Sequence, residues 1–162
     1  MNHWHRGPVS RGQFEALVTQ QLGPQIAGAF RPIQDESLFD RILRSARSFQ
    51  QCFETNASVR GRYLDVSCIP SLQELKIVFT GNRMMQIEIG RPRLSNLQLD
   101  LVQQISNDLN ANCFAEPCCY ACCVVLNFGA DLNRLAIAAT RILGEVFSVT
   151  DTASVWIVVD EA

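Results

Sequence analysis

Histidine is nearly absent from this 162-residue chain: His3 and His5, the only two, flank Trp4 at the extreme N-terminus. A Ser–His–Asp or Cys–His nucleophile would have to recruit those terminal residues to obtain its base. Lysine is rarer still, with Lys76 alone beside thirteen arginines. Nine glycines and six prolines are too few for a fibrous or low-complexity chain. None of the glycines falls into a G-x-G-x-x-G or phosphate-loop pattern. No apolar run approaches the roughly 20 residues that a membrane helix needs. The opening residues, Met1 to Pro8, have no apolar stretch after their one early positive charge, so they do not read as a secretory signal. Catalysis, membrane insertion and dinucleotide binding each lack their usual residues.

What is present is a core-forming composition, 48% hydrophobic and 19% charged, in a length that fits one domain. The net charge of -2 hides an asymmetry. Residues 1–93 carry twelve basic and eight acidic side chains, a net +4; residues 94–162 carry Arg134 and Arg141 against eight acids, a net -6. Arginine forms planar, bidentate bonds to carboxylates and phosphates. The excess is either ordinary solvated surface or a basic face for an acidic partner. Seven cysteines is an odd number, and five lie between Cys113 and Cys123. A secreted disulfide scaffold spreads an even number along a short chain, so the expectation is a reducing cytoplasm with most thiols free.

Residues 1–9 read as a flexible lead and 10–162 as one α+β domain, helical over 10–54 and sheet-containing over 62–160. Ser10 with Gln13 makes a capping-box pattern, and Phe14, Leu17, Val18 and Leu22 follow at helical spacing up to Gly23-Pro24. Asp35 is the expected N-cap of a second helix, with Leu38, Ile42, Leu43, Ala46, Phe49 and Phe53 inward and Arg41, Arg44 and Arg47 outward. The period then becomes two. Strands are predicted around Leu64–Cys68, Leu75–Phe79 and Met85–Ile89, the last two joined by a two-residue type II′ turn at Gly81-Asn82. Ser95 with Gln98 opens another helix, with Leu97, Leu101, Val102, Ile105 and Leu109 on its apolar face. Cys113–Ala115 reads as a short strand with Glu116-Pro117 as turn or bulge, and the apolar run Cys122–Phe128 as a strand buried on both faces. Asp131 caps the last helix, and Val155–Val159 forms the final strand.

Residues 84–160 taken alone read β-α-β-β-α-β, the ferredoxin-like plan, with the strand at 75–80 as an extension and the two N-terminal helices available to cover a sheet face. Without the final strand the order is helix, three strands, helix, two strands, helix. That order resembles the small acidic chaperones of type III secretion. The resemblance covers most of the chain, includes no sequence motif, and is departed from by the strand at 155–159.

Cys113-x4-Cys118-Cys119-Tyr120-Ala121-Cys122-Cys123 is the conspicuous chemical feature. Tetrahedral zinc needs four converging ligands. An extended strand would send Cys119 and Cys123 to one face and Cys118 and Cys122 to the other, whereas a helix would gather all four on one side. Core packing by small thiols competes here with metal binding and redox chemistry at Cys118, Cys119, Cys122 and Cys123. Asp65, Glu74, Glu88 and Asp100 have the spacing of solvated positions. Base stacking on the sheet finds few aromatics, and phosphate contact would fall to Arg60, Arg62, Arg83, Arg91 and Arg93 at strand ends and loops.

The reading that follows is a non-catalytic, self-associating interaction module: an adaptor, assembly factor or chaperone-like subunit. It needs no cofactor, and its partner is another protein or a second copy, met through those five arginines. Nucleic acid is a weaker partner, and a thiol-based redox or metal protein is the alternative.

Overall fold

The computed structural model describes residues 33–55, 62–68, 73–79, 84–91, 94–117, 122–150 and 154–161. The helix expected at 10–22 lies outside them. The described residues form an α+β structure of three helices and an antiparallel six-stranded sheet. In chain order these are α1 (Leu38–Thr55), β1 (Arg62–Cys68), β2 (Glu74–Phe79), β3 (Met85–Gly90), α2 (Asn96–Asp108), β4 (Asn112–Pro117), β5 (Cys122–Gly129), α3 (Leu132–Arg141) and β6 (Val155–Glu161).

Ser37, not Asp35, caps α1. Its Oγ accepts the Asp40 N–H at 3.1 Å and its carbonyl accepts the Arg41 N–H. Asp35 instead takes φ 63° in the preceding turn, a conformation aspartate tolerates better than most residues. Ile42, Ala46 and Phe49 are buried as the spacing requires. Arg41 departs from the expected outer face: it is buried, and its Nη1 donates to the Val155 carbonyl at 2.6 Å. Arg44 is half-buried and clasps Glu36 with two bonds of 2.8 and 2.9 Å, while Arg47 is exposed.

The strands lie in the order β4–β5–β3–β2–β1–β6. A ferredoxin-like sheet would place β6 beside β3. Both edges of β3 are already taken, by β5 and by its hairpin partner β2, so β6 crosses the sheet and pairs with β1 over seven residues. The sheet is therefore not ferredoxin-like.

Register follows the hydrophobic pattern rather than the turn signal. A two-residue turn at Gly81-Asn82 would set Phe79 against Met84. The observed pairing sets Phe79 against Met85 and Ile77 against Ile87. Directly opposed residues project to the same face, and the inward residues are Leu75, Ile77, Phe79 and Met85, Ile87, Ile89. Only this parity puts inward beside inward; a slip of one residue would oppose Ile77 to Gln86.

Ser95 and Gln98 form the expected capping box of α2, with reciprocal bonds of 3.1 and 3.0 Å. Val102 and Ile105 are buried, but Leu97 is 71% exposed, against expectation. It stands in the first turn, where the side chain projects past the end of the sheet-facing stripe. β4 runs on through Glu116 and Pro117, where a turn or bulge is predicted. It is an edge strand, the position in which a sheet accommodates a proline. Asp131 caps α3 as expected, accepting the Arg134 N–H at 3.1 Å. After α3, a π-helical turn over Ile142–Val146 continues the buried stripe with Ile142, Leu143 and Val146.

The helices share one layer. Ile42, Ala46, Phe49, Val102, Ile105, Leu135, Ala139 and Ile142 form one core with Leu64, Val66, Ile77, Ile87 and Leu126 of the sheet. No helix among the described residues is long and apolar enough to cross a membrane.

Candidate interaction surfaces

The two arginines of the acidic half are committed to holding the fold. Arg134 pairs with Asp131 at 3.0 Å and donates to the carbonyls of Leu109, Asn110 and Phe128 at 2.9, 3.2 and 3.2 Å. It thereby ties the turn into β4 to the end of β5 and the start of α3. Arg141 bridges Asp108 of α2 and Glu145 at 2.8 and 2.7 Å. Hydrogen bonds from its guanidinium hold both carboxyls below the ordinary range.

Of the arginines expected to meet a partner, Arg60, Arg83 and Arg93 lie outside the described residues. Arg62 begins β1, and Arg91 follows β3. Leu64 and Ile87 share a cross-strand row through Ile77, and β1 and β3 run the same way. Arg62 and Arg91 are therefore about 20 Å apart along the strands, at opposite ends of the sheet. Arg91 also serves its own loop, donating to the Leu94 carbonyl at 3.2 Å and to Asn96 Oδ1 at 3.4 Å.

In the cysteine segment, Cys118 and Cys119 lie outside the described residues. Cys122 and Cys123 begin β5 as neighbours on opposite faces, half-buried and buried respectively. Cys123 is disulfide-bonded, to a partner outside the described residues. Cys68, Cys113 and Cys122 are free. Burial pushes the Cys68 thiol up to about 11 and raises Cys113 as well, the latter partly offset by a hydrogen bond with Ser106. Neither is a ready thiolate near neutral pH. Among the described residues no three His, Cys, Asp or Glu side chains converge on a point where a metal could sit.

The sheet face opposite the helices carries a row of side chains across five strands: Asp65, Lys76, Glu88, Val125 and Phe114. Asp65, expected to be solvated, is fully buried and accepts the Ser67 hydroxyl at 2.8 Å. Lys76 stands 4.7 Å from the Tyr63 ring centroid in a cation–π contact. Gln86 donates to Glu88 at 2.8 Å. The buried Tyr63, Cys123 and Val125 belong to this face, apart from the core beneath the helices.

At the far end of the row, Phe114 is 43% exposed on β4, an edge of the described sheet. Asn112 and Ala115 are exposed beside it. β4 has no lysine or arginine, and its only charge and only proline stand at its end, Glu116-Pro117. Over Asn112–Ala115 it thus lacks the charges and prolines that usually blunt a strand edge. The sequence signal for this surface is a single aromatic in a short strand, which periodicity cannot distinguish from an inward residue.

Comparison with known protein families, with curated proteins and with solved structures gives no match.

Proposed function

We propose that the chain is a non-catalytic interaction module, an adaptor, assembly factor or chaperone-like subunit of the cytoplasm, that self-associates through β4. The observation that carries this reading is the β4 edge with Phe114 exposed at its centre. Two antiparallel β4 strands related by a twofold axis normal to the sheet would keep each face continuous. Phe114 then meets its own copy, Cys113 meets Ala115, and Glu116 meets Asn112 rather than another acid. An aromatic pair of this kind contributes about 0.5–1.5 kcal/mol beyond the area it buries. Arg134 supports the reading by fixing the turn from which β4 starts. Arg60, Arg62, Arg83, Arg91 and Arg93 are proposed to meet an acidic protein partner, Arg91 while also serving its own loop.

Sedimentation equilibrium up to about 100 μM tests self-association, since an interface of micromolar Kd is then largely occupied. The wild-type chain is expected to be dimeric and Phe114→Lys monomeric with unchanged circular dichroism. A wild-type monomer throughout that range overturns the proposal.

The disulfide at Cys123 favours one second reading, a thiol-based redox role for Cys118, Cys119, Cys122 and Cys123. It predicts that alkylation with and without reductant yields different thiol counts at neutral pH, in protein purified without oxidant. Equal counts remove it.

A further inference from the structure

The row of side chains on the sheet face opposite the helices is buried at two separate positions. Asp65 and Val125 are fully buried, and Tyr63, Ser67 and Cys123 beside them are buried too. All three helices pack on the other face. Asp65 and Val125 sit in mid-strand on β1 and β5, three strand spacings or about 14 Å apart. No described helix covers them. The connections between described segments are short, the longest being 56–61, and each leaves from the end of a strand or helix. Residues 1–32 are the longest stretch outside the described residues.

We propose that the sheet face opposite the helices is a docking surface for this chain's own residues 10–22. Three observations argue for that occupant. Phe14, Leu17, Val18 and Leu22 recur at helical spacing, and a helix of this length would extend about 20 Å, enough to span β1 to β5. The charge balance favours contact through the flanks. Residues 10–22 are neutral, with Arg11 against Glu15, while Arg6 and Arg31 on either side bring residues 1–32 to a net +2. The described side chains of the face include Asp65, Glu74 and Glu88 against Lys76. The tether also reaches. Arg41 in the first turn of α1 binds the first residue of β6, so the chain enters α1 beside that edge of the sheet. Residues 23–32 extend up to about 33 Å, more than enough to round an edge between layers about 10 Å apart. This inference is independent of how the β4 edge is used.

The test places a benzophenone photo-crosslinker at position 14 of the full-length chain, in a mixture of isotopically light and heavy protein. The expected product is an intrachain crosslink into Tyr63–Ser67 or Cys123–Asn127. Crosslinks confined to the helix layer, or joining light to heavy chains, overturn the proposal, the latter by assigning the face to a second copy. A companion variant, Leu17→Glu with Leu22→Glu, leaves the described core untouched. Hydroxyl-radical footprinting is expected to show Tyr63 oxidised several-fold faster in it while Phe49 and Phe128 stay protected. Tyr63 protection equal to wild type refutes the docking.

Discussion

Replacing Arg134 with methionine isolates a clasp that joins three separate parts of the chain. The guanidinium reaches the carbonyls of Leu109 and Phe128, both partly buried, and of Asn110 at the surface, as well as the Asp131 carboxylate. A charged donor to a buried carbonyl contributes roughly 1.5–3 kcal/mol, and a typical protein hydrogen bond about 1 kcal/mol. The side chain is about one third exposed, so water replaces part of what is lost. About 1 kcal/mol for each of the two partly buried carbonyls, and little for the surface carbonyl and ion pair, gives a loss of about 2 kcal/mol. Methionine retains much of the apolar stem, so the loss is mainly polar. Urea unfolding followed by circular dichroism reads it: with an m-value of about 2–3 kcal/mol/M the midpoint falls by roughly 0.7–1 M. Arg134→Lys is expected to recover less than half, because one ammonium cannot serve three divergent carbonyls. Amide exchange of Ala111 and Cys113 should accelerate in both variants. A midpoint within about 0.2 M of wild type for Arg134→Met, or full recovery by lysine, would refute the clasp.

Gly144 is exposed in the helical turn after α3, with open space where a Cβ would stand and no positive φ, so Gly144→Ala should raise stability by about 0.5–1 kcal/mol in thermal unfolding. Gly129, at φ 61°, should behave oppositely, with Gly129→Ala costing about 1 kcal/mol despite equal room. Asp108 and Glu145 are held low in the folded chain by Arg141, from ordinary values of 3.8 and 4.5. The unfolded chain therefore binds their protons more readily. The stabilisation is complete above about pH 5 and is lost as pH falls through those ordinary values toward the folded ones. Arg141→Gln should be less stable than wild type at pH 7, and the gap should narrow as pH falls below those ordinary values, as measured by denaturant melts across the range. Cys68, buried and titrating at about 11, should resist iodoacetamide at pH 8 in the folded protein and react promptly in urea; prompt labelling of the native state would contradict its placement.

The sequence already contained the register of the β2–β3 hairpin, but in its apolar pattern and not in its turn residues. Inward residues at 75, 77, 79 and 85, 87, 89 exclude a two-residue connection, yet Gly81-Asn82 points to one by local chemistry. Burial of six side chains outweighs the preference of one turn. The caps at Ser95 and Asp131 were legible because each acts within four residues. Arg41 and Asp65 were not, because nothing local marks a charged residue as buried; each position follows from strands and helices meeting across the chain. The ferredoxin-like order failed for the same reason. Element order does not say that β3 is fully occupied, which is what sends β6 to β1. Phe114 escaped notice because its exposure follows from β4 standing at an edge of the described sheet.

The pairing of β6 with β1 has a kinetic side. Leu64 meets Val159, roughly 95 residues onward, whereas Ile77 meets Ile87 after about ten. By chain-closure entropy the longer contact costs about 2 kcal/mol more to form. During synthesis the β1–β2–β3 meander can assemble early, with the outer side of β1 bare until β6 emerges from the ribosome. Among the described strands, the one that pairs with the outer side of β1 is thus the last to be made, and a nascent chain stalled before residue 155 would present β1 as a free template for misassociation.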